Sequence, residues 1–587
     1  MKKCKWIALL MLVPLLLSSC ADIFNLGFLD ETTPADQYNK HFEGISPVRG
    51  EVQVEAVDLS GLNLEYTERE LSSDYEKDNA TRIVFASGGS TVYGKGADSA
   101  GKDVTVTAAG TYIVSGSADG ALLAVSASSE DAVHLVLSDL SLTGKGGTAI
   151  EIRSAGSVLL TLEGENSLSN STAGKPSAMD KLNDAVLLSR MDFCINGSGS
   201  LSVFGNRTHG IASMGTLTVT GGRISVSTTK AGLVGERAVK LGGGEITVRA
   251  EEEGVLSGAV LGDTLWSDYE DTDKKPVSYV YVSGGSLAVK STGDSIRAES
   301  LFVMKDGVVD LVSGIRVDEP EVEEQPEETL PSFWDIFELE EASETAADER
   351  AFIVYSDGIC AASDIQIYGG TLKVDASNHA LYSGGTLCVD GGRMHLRAVH
   401  EGLCSDAAVG ISDGIVILEK SRIGVLGQSV DISGGHLYVG TANSGVKTSG
   451  AFRLSGGVCL VAGAKELPLD FGVGVVTGGT MMALGNAKRA REFFPMGKQG
   501  VILCYFKAQG EKYPLVLCDN EDRVLLSLES TAAYSCAYIS CPSVLRGNAY
   551  TLTSGGFVAG ADMYGFAVGA ESASVASEPL AVVTANS

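Results

Sequence analysis

The sequence predicts an all-β protein built as a parallel β-helix, and two repeating signals indicate this fold class. A phrase of two small residues followed by alternating apolar and polar residues recurs between residues 199 and 483. Residues 221–226 read GGRISV, and residues 243–248, one step of 22 later, read GGEITV. A fixed period of this length is typical of a solenoid. The alternation inside each copy has the period of two that β-strands show.

The second signal lies eleven residues after the start of each copy. A small residue precedes an apolar one there, as in Gly210-Ile211, Gly232-Leu233 and Gly402-Leu403. The small residue suits a turn, and the apolar residue then enters the core. Two or three short strands per turn of about 22 residues predict a parallel β-helix. A leucine-rich repeat has a similar period but a different leucine pattern, and a propeller needs about twice the period.

Two steps of the repeat are longer than the others. The step from residue 243 to 284 contains 41 residues, and the step from 306 to 369 contains 63. We attribute the first to an insertion at 257–278 and the second to about two rungs plus an acidic insertion at 318–350. Removing about 40 inserted residues leaves about 17 rungs between residues 81 and 485.

The first twenty residues predict an export signal. A lysine-rich start precedes an apolar run at 7–17 that is shorter than a typical membrane span. Residues 17–20 read LSSC, which resembles the bacterial lipobox, where the chain is cleaved before the cysteine and the cysteine is lipidated. We expect a signal peptide at 1–19 and a lipid anchor at Cys20. Because Ala21 rather than Asp follows, we expect the outer membrane or the cell surface. The alternative is an ordinary secretory signal.

The rest of the chain divides into four expected parts. Residues 20–70 lack a sustained period and predict an anchor and tether, and residues 71–500 form the β-helix domain. Residues 501–557 predict a small C-terminal β cap, in which 501–506 and 513–518 form a hairpin that turns near Gly510. Residues 558–587 predict a tail. The cap region contains four cysteines whose disulfide state the sequence leaves open, namely Cys504, Cys518, Cys536 and Cys541.

Composition excludes one class of partner. The formal net charge of −30 argues against nucleic-acid binding, which needs a basic face. No catalytic triad spacing, phosphate loop or nucleotide fingerprint is apparent in the sequence. We therefore expect no nucleic-acid partner. We also expect the protein to be a monomer.

Several segments resemble a known family. Residues 108–116 (AAGTYIVSG), 130–152 (EDAVHLVLSDLSLTGKGGTAIEI), 195–203 (INGSGSLSV) and 550–556 (YTLTSGG) are similar to the bacterial carbohydrate-binding domain-containing proteins. The resemblance extends over most of the expected mature chain, and its strength lies in the order of the motifs. It implies a right-handed parallel β-helix, binding of plant cell-wall glycans, and bound calcium. The chain also resembles calcium-dependent pectate lyases of β-helical fold.

The candidate metal ligands come from the turns of the repeat. The family's turns usually read Asp-Asp-Gly-Ile, and here paired acids survive only as Glu252-Glu253. Calcium takes six to eight oxygen ligands, which one stacked column of carboxylates can supply. Glu253 and Asp294 fall on adjacent rungs if the insertion between them loops out. We therefore predict Glu252, Glu253 and Asp294 as calcium ligands. The alternative is that these acids cap turns and accept hydrogen bonds from exposed amides.

The candidate carbohydrate-binding residues are Trp266 and Tyr269. Both lie in the first insertion among several acids. Apolar sugar faces pack on aromatic rings, and sugar hydroxyls bond to carboxylates. The alternative is that Trp266 covers a neighbouring rung.

These observations predict a non-catalytic carbohydrate-binding surface lipoprotein whose partner is a polysaccharide bound along the β-helix. Parallel strands present side chains in rows about 4.8 Å apart, which suits an elongated polymer. A second hypothesis is a β-helical polysaccharide lyase with Arg297 or Lys447 as the base. A third is a surface adhesin or scaffold that uses the acidic insertion as a protein-binding loop.

Overall fold

The computed structural model describes residues 50–51, 53–170, 185–258, 277–314 and 354–558. It also describes 560–562, 564–569, 573–575 and 579–586. Its strands stack into a β-solenoid of about 13 turns, which confirms the predicted fold class. Cys20, Trp266, Tyr269 and the acidic insertion at 318–350 lie outside the described residues. Within the described ranges, no helix has both the length and the apolar character needed to cross a membrane.

Each regular turn contributes one strand to each of three faces. In one turn His209–Ser213 belongs to the first face, Thr216–Val219 to the second and Arg223–Thr228 to the third. Each strand pairs in parallel with its equivalents in the turns before and after. Side chains of one column therefore stack along the solenoid axis at the strand spacing of about 4.8 Å.

The first face is a separate sheet of 15 strands. Only its first pair is antiparallel. Its strands are Ala97–Ala100, Asp103–Val106, Leu123–Ser126, Ile150–Ser154, Ala185–Ser189, His209–Ser213, Leu233–Gly235, Val255–Ser257, Ile296–Ala298, Ile359–Ala361, Leu381–Ser383, Glu401–Ser405, Ile423–Gly427, Ser444–Thr448 and Leu469–Asp470.

The second and third faces join into one continuous sheet because four long strands bend from one to the other. The shared strands are Gly110–Ala121, Ala132–Gly144, Leu387–Ala398 and Ala408–Lys420. The second face also contains Thr81–Phe85, Ser157–Glu163, Phe193–Gly197, Thr216–Val219, Ala238–Leu241, Tyr279–Val282, Leu301–Met304, Ile365–Ile367, Ser429–Ile432, Ala451–Leu454, Val473–Val476 and Phe494–Pro495, with Thr91–Tyr93 antiparallel to the first of them. The third face also contains Glu165–Asn170, Ser200–Gly205, Arg223–Thr228, Glu245–Ala250, Ser286–Ser291, Val308–Ser313, Thr371–Ala376, His436–Ala442, Val458–Ala464 and Thr480–Gly485.

The repeated phrase has a direct structural reason. The inward residues of the third face form buried columns, such as Ile224 beside Ile246, while the residues between them point outward. The second glycine of each pair has a positive φ, 89° at Gly222 and 86° at Gly244. A side chain is disfavoured in that conformation, so glycine is required where the chain turns from the second face into the third.

In each of the two long steps of the repeat, the strands before and after the extra residues pair directly with each other. Val255 pairs with Ile296, so the first insertion loops out between adjacent rungs, as expected. Ile296 pairs directly with Ile359, so the second long step contains no additional rungs. A further lengthened step separates Ile150 from its partner Leu187. The expectation of about 17 rungs was therefore wrong, because whole stretches that we counted as rungs lie outside the ladder.

Residues 50–80 lie along the second face of the solenoid. The backbone nitrogen of Gly50 donates to the Ser433 carbonyl, and the Lys240 ammonium donates to the Glu65 carbonyl at 2.5 Å. A four-residue helix, α1 (Glu68–Leu71), and a 3-10 turn (Lys77–Asn79) complete this segment. Of the predicted tether, the part from residue 50 onward thus packs on the β-helix. Its apolar contacts come from Val57, Leu59, Leu62, Leu64 and Tyr66.

The C-terminal cap exists, but its topology differs from the predicted hairpin. Ile502–Gln509 pairs with Tyr534–Ser540, which itself pairs antiparallel with the last strand of the third face. Leu515–Cys518 joins a separate five-stranded sheet instead. Two edge strands of that sheet come from the expected tail. The sheet contains Leu515–Cys518, Val524–Leu528, Ala549–Ser554, Ala567–Val568 and Ala581–Thr584, and a two-stranded sheet contains Gly556–Val558 and Ala573–Val575.

The predicted hairpin was wrong because sequence proximity does not decide pairing when a strand further along the chain fits the open end of the stack. The cap cysteines are buried and free, as are all cysteines in the described part of the chain except the half-buried, also free, Cys360.

Candidate functional site

The outward column of the first face carries an unusual set of side chains over six consecutive rungs. We name this column the first-face strip. The strand registers place its six residues in line. At strand spacing the strip is about 24 Å long. Its residues are Arg297, Cys360, Tyr382, Cys404, Leu426 and Lys447.

A second column runs beside the strip, in the turn that leads into the first face. On each rung, the residue after the column member donates its backbone N–H to the carbonyl of the column member on the next rung. Gly254 donates in this way to Asp294, and Ser295 donates to Asp357. The same ladder continues from Gly358 to His379 and from Ala380 to Glu401. The column therefore stacks four carboxylates and one histidine on consecutive rungs. Its members, with Glu253 at the start, are Glu253, Asp294, Asp357, His379 and Glu401.

The side chains of this column form a continuous charged chain. His379 Nδ1 lies 2.8 Å from Asp357 Oδ1, and His379 Nε2 lies 3.0 Å from Glu401 Oε2. Arg422 Nη2 then lies 2.5 Å from Glu401 Oε1. Asp357 and Glu401 are buried. Because both imidazole nitrogens face carboxylates, this geometry fits an imidazolium that donates in both directions.

The surroundings shift the pKa values of His379 and Glu401 in the directions that favour the charged form of each side chain. Burial disfavours the charged form of His379, but its hydrogen bonds to Asp357 and Glu401 outweigh burial and raise its pKa to about 9. Burial also disfavours the Glu401 carboxylate, yet its bonds with His379 and Arg422 lower its pKa to about 2. His379 is therefore protonated at neutral pH and Glu401 is ionised.

Asp294 is the titratable end of the same column. Its Oδ1 accepts a hydrogen bond from the backbone nitrogen of Asp357 at 2.7 Å. Burial, followed by the charge of Asp357, raises the pKa of Asp294 to about 6. Arg297 Nη1 lies 3.7 Å from its Oδ2. Asp294 thus changes charge close to neutral pH, within the row of fixed charges.

Asp294, Asp357 and Cys360 form the group of possible metal ligands in the described residues, with ligand atoms within 4.8 Å of one another. Calcium prefers six to eight oxygens. Asp357 Oδ1 already accepts three hydrogen bonds, from the Asn378 amide and from two nitrogens of His379. Burial raises the pKa of the Cys360 thiol, which keeps this soft ligand protonated. These three residues therefore do not form a calcium cage by themselves.

Two tyrosines border the charged column on its solvent side. The ring of Tyr355, which is 53% exposed, stacks on His400 with centroids 5.2 Å apart. Tyr382 stacks on His379 at 5.4 Å and donates its hydroxyl to Asp406 Oδ2 at 2.8 Å. In the strip Tyr382 stands between two cysteines, whose side chains are small. Both rings are held by neighbours and remain accessible from solvent.

Beyond Tyr382 the surface deepens into a cavity of about 440 Å³ at the C-terminal end of the strip. Asp406, which holds the Tyr382 hydroxyl, lies on one wall, and Lys447 and Asp470 lie further along. The strip therefore connects an aromatic section to a polar cavity of mixed charge. Aromatic surface at Tyr382 is thus followed by hydrogen-bonding groups of both kinds in the cavity, which suits a polyhydroxylated ligand.

The structure brings together some of the predicted site residues. Glu253 and Asp294 occupy neighbouring positions of one column, as predicted. Arg297 lies in the strip but is paired with Glu299 at 3.0 Å, and Lys447 is five rungs away. Glu252 lies beside Glu253, and burial raises its pKa. Trp266 and Tyr269 are outside the described residues.

The sequence analysis missed Asp357, His379, Glu401, Tyr355 and Tyr382. The pattern of paired acids directs the prediction to Glu252-Glu253, and the turns at 356–359, 378–381 and 400–403 depart from that pattern. The signal that could have found them is their shared position in the repeat, which places the second residue of each turn in one column. The 63-residue step hid the adjacency of Asp294 and Asp357.

Two of three comparisons with known proteins gave a match. A family model described as "Carbohydrate-binding domain-containing protein" matches residues 100–402 and 335–466, which together cover more than half of the chain. A solved structure described as "Structure of the polysaccharide lyase-like protein from C. thermocellum, Gadolinium derivative" is similar at 25% sequence identity, with a TM-score of 0.35. That alignment covers 40% of this chain and 90% of the other. A search of curated proteins gave no match.

Proposed function

Because this chain belongs to the family of carbohydrate-binding domain-containing proteins, we propose that it binds a polysaccharide along the first-face strip without cleaving it. The observation that carries the proposal is the row of ordered tyrosines and buried charges on consecutive rungs of one face. A polymer that lies along the solenoid axis meets a cation at each end of the strip and Tyr382 between them.

The tyrosines provide the apolar part of the interaction. Tyr382 projects between small neighbours, and Tyr355 exposes about half of its surface one rung away. An aromatic ring offers a large apolar surface that loses little conformational entropy on binding when its rotamer is already fixed. Stacking on His379 and His400 fixes both rings before a ligand arrives.

The charged column provides the polar part. Asp357 and Glu401 are occupied by His379 and Arg422, so the column is rigid and costs little reorganisation on binding. Arg297 at one end of the strip and Lys447 at the other offer donors to hydroxyl or carboxylate groups of a glycan. Rigid polar groups at fixed spacing select a ligand by its repeat length.

The proposed lack of catalysis rests on the protonation states. A base must accept a proton, and His379 is already protonated at neutral pH, with carboxylates on both nitrogens. Arg297, the candidate base of the lyase hypothesis, is paired with Glu299 and Asp294. Hydrogen bonding to Glu299 keeps its guanidinium charged against the effect of burial.

Two finer parts of the proposal rest on the sequence. The lipobox-like segment that ends at Cys20 supports a lipoprotein held at the outer membrane or cell surface. The proposal also includes calcium. The ion would take ligand oxygens from the bound glycan in addition to the column's carboxylates.

The test is a glycan array on the lipid-free protein, with and without chelator, followed by calorimetric titration of the best ligand. We expect Tyr382→Ala to weaken binding by roughly 1–3 kcal/mol, the range of an aromatic anchor. Tyr93→Ala is the matched control, because Tyr93 is 61% exposed at the far N-terminal end of the stack. Equal affinity of the Tyr382 variant and the control would move the site elsewhere.

The same ligand tests the enzyme hypothesis. Incubation of the best ligand with excess protein, with and without calcium, should leave the polymer length unchanged. Appearance of shortened unsaturated products, and their loss in Arg297→Ala or Lys447→Ala, would support the lyase instead.

A further inference from the structure

A second cleft lies between the third face and the C-terminal cap. We name it the cap cleft. Its volume is about 360 Å³, near the lower end of the range for small-molecule sites. The β-helix supplies one wall and the cap segments supply the other. The residues used below are His395, Arg397, Glu419 and Tyr438 from the β-helix, and Glu529 and Tyr564 from the cap.

The cleft marks the place where the outward surface of the third face changes character. The column that contains Lys373 and His395 continues through Ile417 and Tyr438 to Leu460. From Ile417 onward, these outward residues are buried under the cap. The charged rungs remain open to solvent, so the cleft forms at the step between the covered and uncovered parts of one column.

Tyr438 is the central residue of the cleft. It is 4% exposed, and its ring stacks on Tyr564 with centroids 4.0 Å apart. Burial raises the pKa of Tyr438, with the nearby Tyr564 contributing next, so its hydroxyl is protonated. Within the described ranges, no residue forms a hydrogen bond with this hydroxyl. This hydroxyl is not fully buried, so water or a ligand in the cleft can serve as its hydrogen-bond partner.

The walls of the cleft carry charges of both signs. His395 Nε2 lies 3.1 Å from Glu419 Oε2, and Arg397 Nε lies 3.9 Å from the same oxygen. Glu529 faces them from the cap side. Sugar hydroxyls both donate and accept, so they match walls of mixed sign better than a ligand of one charge does. An aromatic pair beside polar walls is the composition of a sugar site.

We infer that the cap cleft binds one or two sugar rings, such as the terminal unit of a glycan, as a second site separate from the first-face strip. The cleft has the volume of a small ligand, an aromatic pair, a tyrosine hydroxyl without a partner from the protein, and walls of both signs. One wall belongs to the cap, which lies beyond the residues that match the family model. The inference depends on the proposed function only for the ligand class.

Saturation-transfer NMR and calorimetric titration of the full chain test the inference, with glucose, galactose, N-acetylglucosamine, galacturonate and cellobiose as probes. We expect at least one probe to bind at millimolar concentration. Tyr438→Phe removes only the hydroxyl, and Glu529→Gln removes only a charge, so both variants should fold. Each should weaken that binding by roughly tenfold, the effect of one lost hydrogen bond to a ligand.

Tyr382→Ala is the control that separates this site from the first-face strip, and it should leave the binding of the small probes unchanged. If no probe binds, or if both cleft variants bind as the wild-type protein does, the inference is overturned. Loss of small-probe binding in Tyr382→Ala alone would assign that binding to the strip and also overturn it. Failure of polymer binding with intact small-probe binding would count against the proposed function and leave the cap cleft standing.

Discussion

The half-buried histidine of the charged column, His379, gives a quantitative prediction about pH. The pKa of His379 rises from its usual 6.5 to about 9, and that difference corresponds to about 3 kcal/mol of folding free energy. Because the folded-state pKa is the higher one, this stabilisation is fully present below pH 6.5. It is lost as the pH rises through 9.

The perturbation is His379→Gln, which keeps a hydrogen-bonding amide but removes the positive charge. At pH 6.5 the variant leaves the buried Asp357 and Glu401 facing a neutral group, so it should be less stable by about 3 kcal/mol. Above pH 9 the wild-type imidazole is neutral as well, and the difference between the two proteins should shrink towards zero.

The assay is thermal unfolding followed by far-ultraviolet circular dichroism at pH 6.5 and pH 10. The control is His134→Gln, since His134 is buried and also hydrogen-bonded, to Thr161 at 2.7 Å. Burial lowers the pKa of His134 to about 4, so this residue is neutral at both pH values and its stability difference should stay constant. A His379→Gln difference that is equally large at pH 6.5 and pH 10 would refute the imidazolium assignment.

Three further predictions concern the core, the anchor and the first insertion. Ile224→Asp should cost several kcal/mol in denaturant unfolding, because Ile224 is 1% exposed and the charge has no partner, whereas Ser225→Asp on the outward side should cost little. Cys20→Ala should abolish recovery in the membrane fraction, and unchanged recovery would contradict the lipid anchor. Trp266→Ala should weaken glycan binding by roughly 1–3 kcal/mol, and Glu253→Gln should do so only where calcium is required. Wild-type affinity of the Trp266 variant in calorimetry would leave that ring as a cover for a neighbouring rung.

The site shows which information a repeat sequence lacks. Asp294 and Asp357 are 63 residues apart in sequence and are adjacent in the turn column. The family-like turn pattern directed attention to Glu252-Glu253, while the column's strongest interactions came from a histidine and single acids. A comparison of positions within the repeat, rather than of motifs, would have grouped them.

The N-terminal segment and the cap show the same limit in a different form. The segment before residue 81 lacks a sustained period in the sequence, yet its apolar residues pack on the second face. The cap strands were recognised, but their partners were not, since Tyr534–Ser540 pairs with the end of the stack. Both outcomes depend on which surfaces remain open after the β-helix has formed.

The sequence by itself determined the β-helix, the period of its rungs and the inward columns, because each rung repeats the same local rule. Alternation selects the buried side of a strand, and a glycine at positive φ fixes the turn. Only the tertiary structure decided which insertions leave the stack, which carboxylates meet His379, and how the cap closes the end. Those contacts join residues that are distant along the chain, and their energies depend on burial and stacking that no single rung contains.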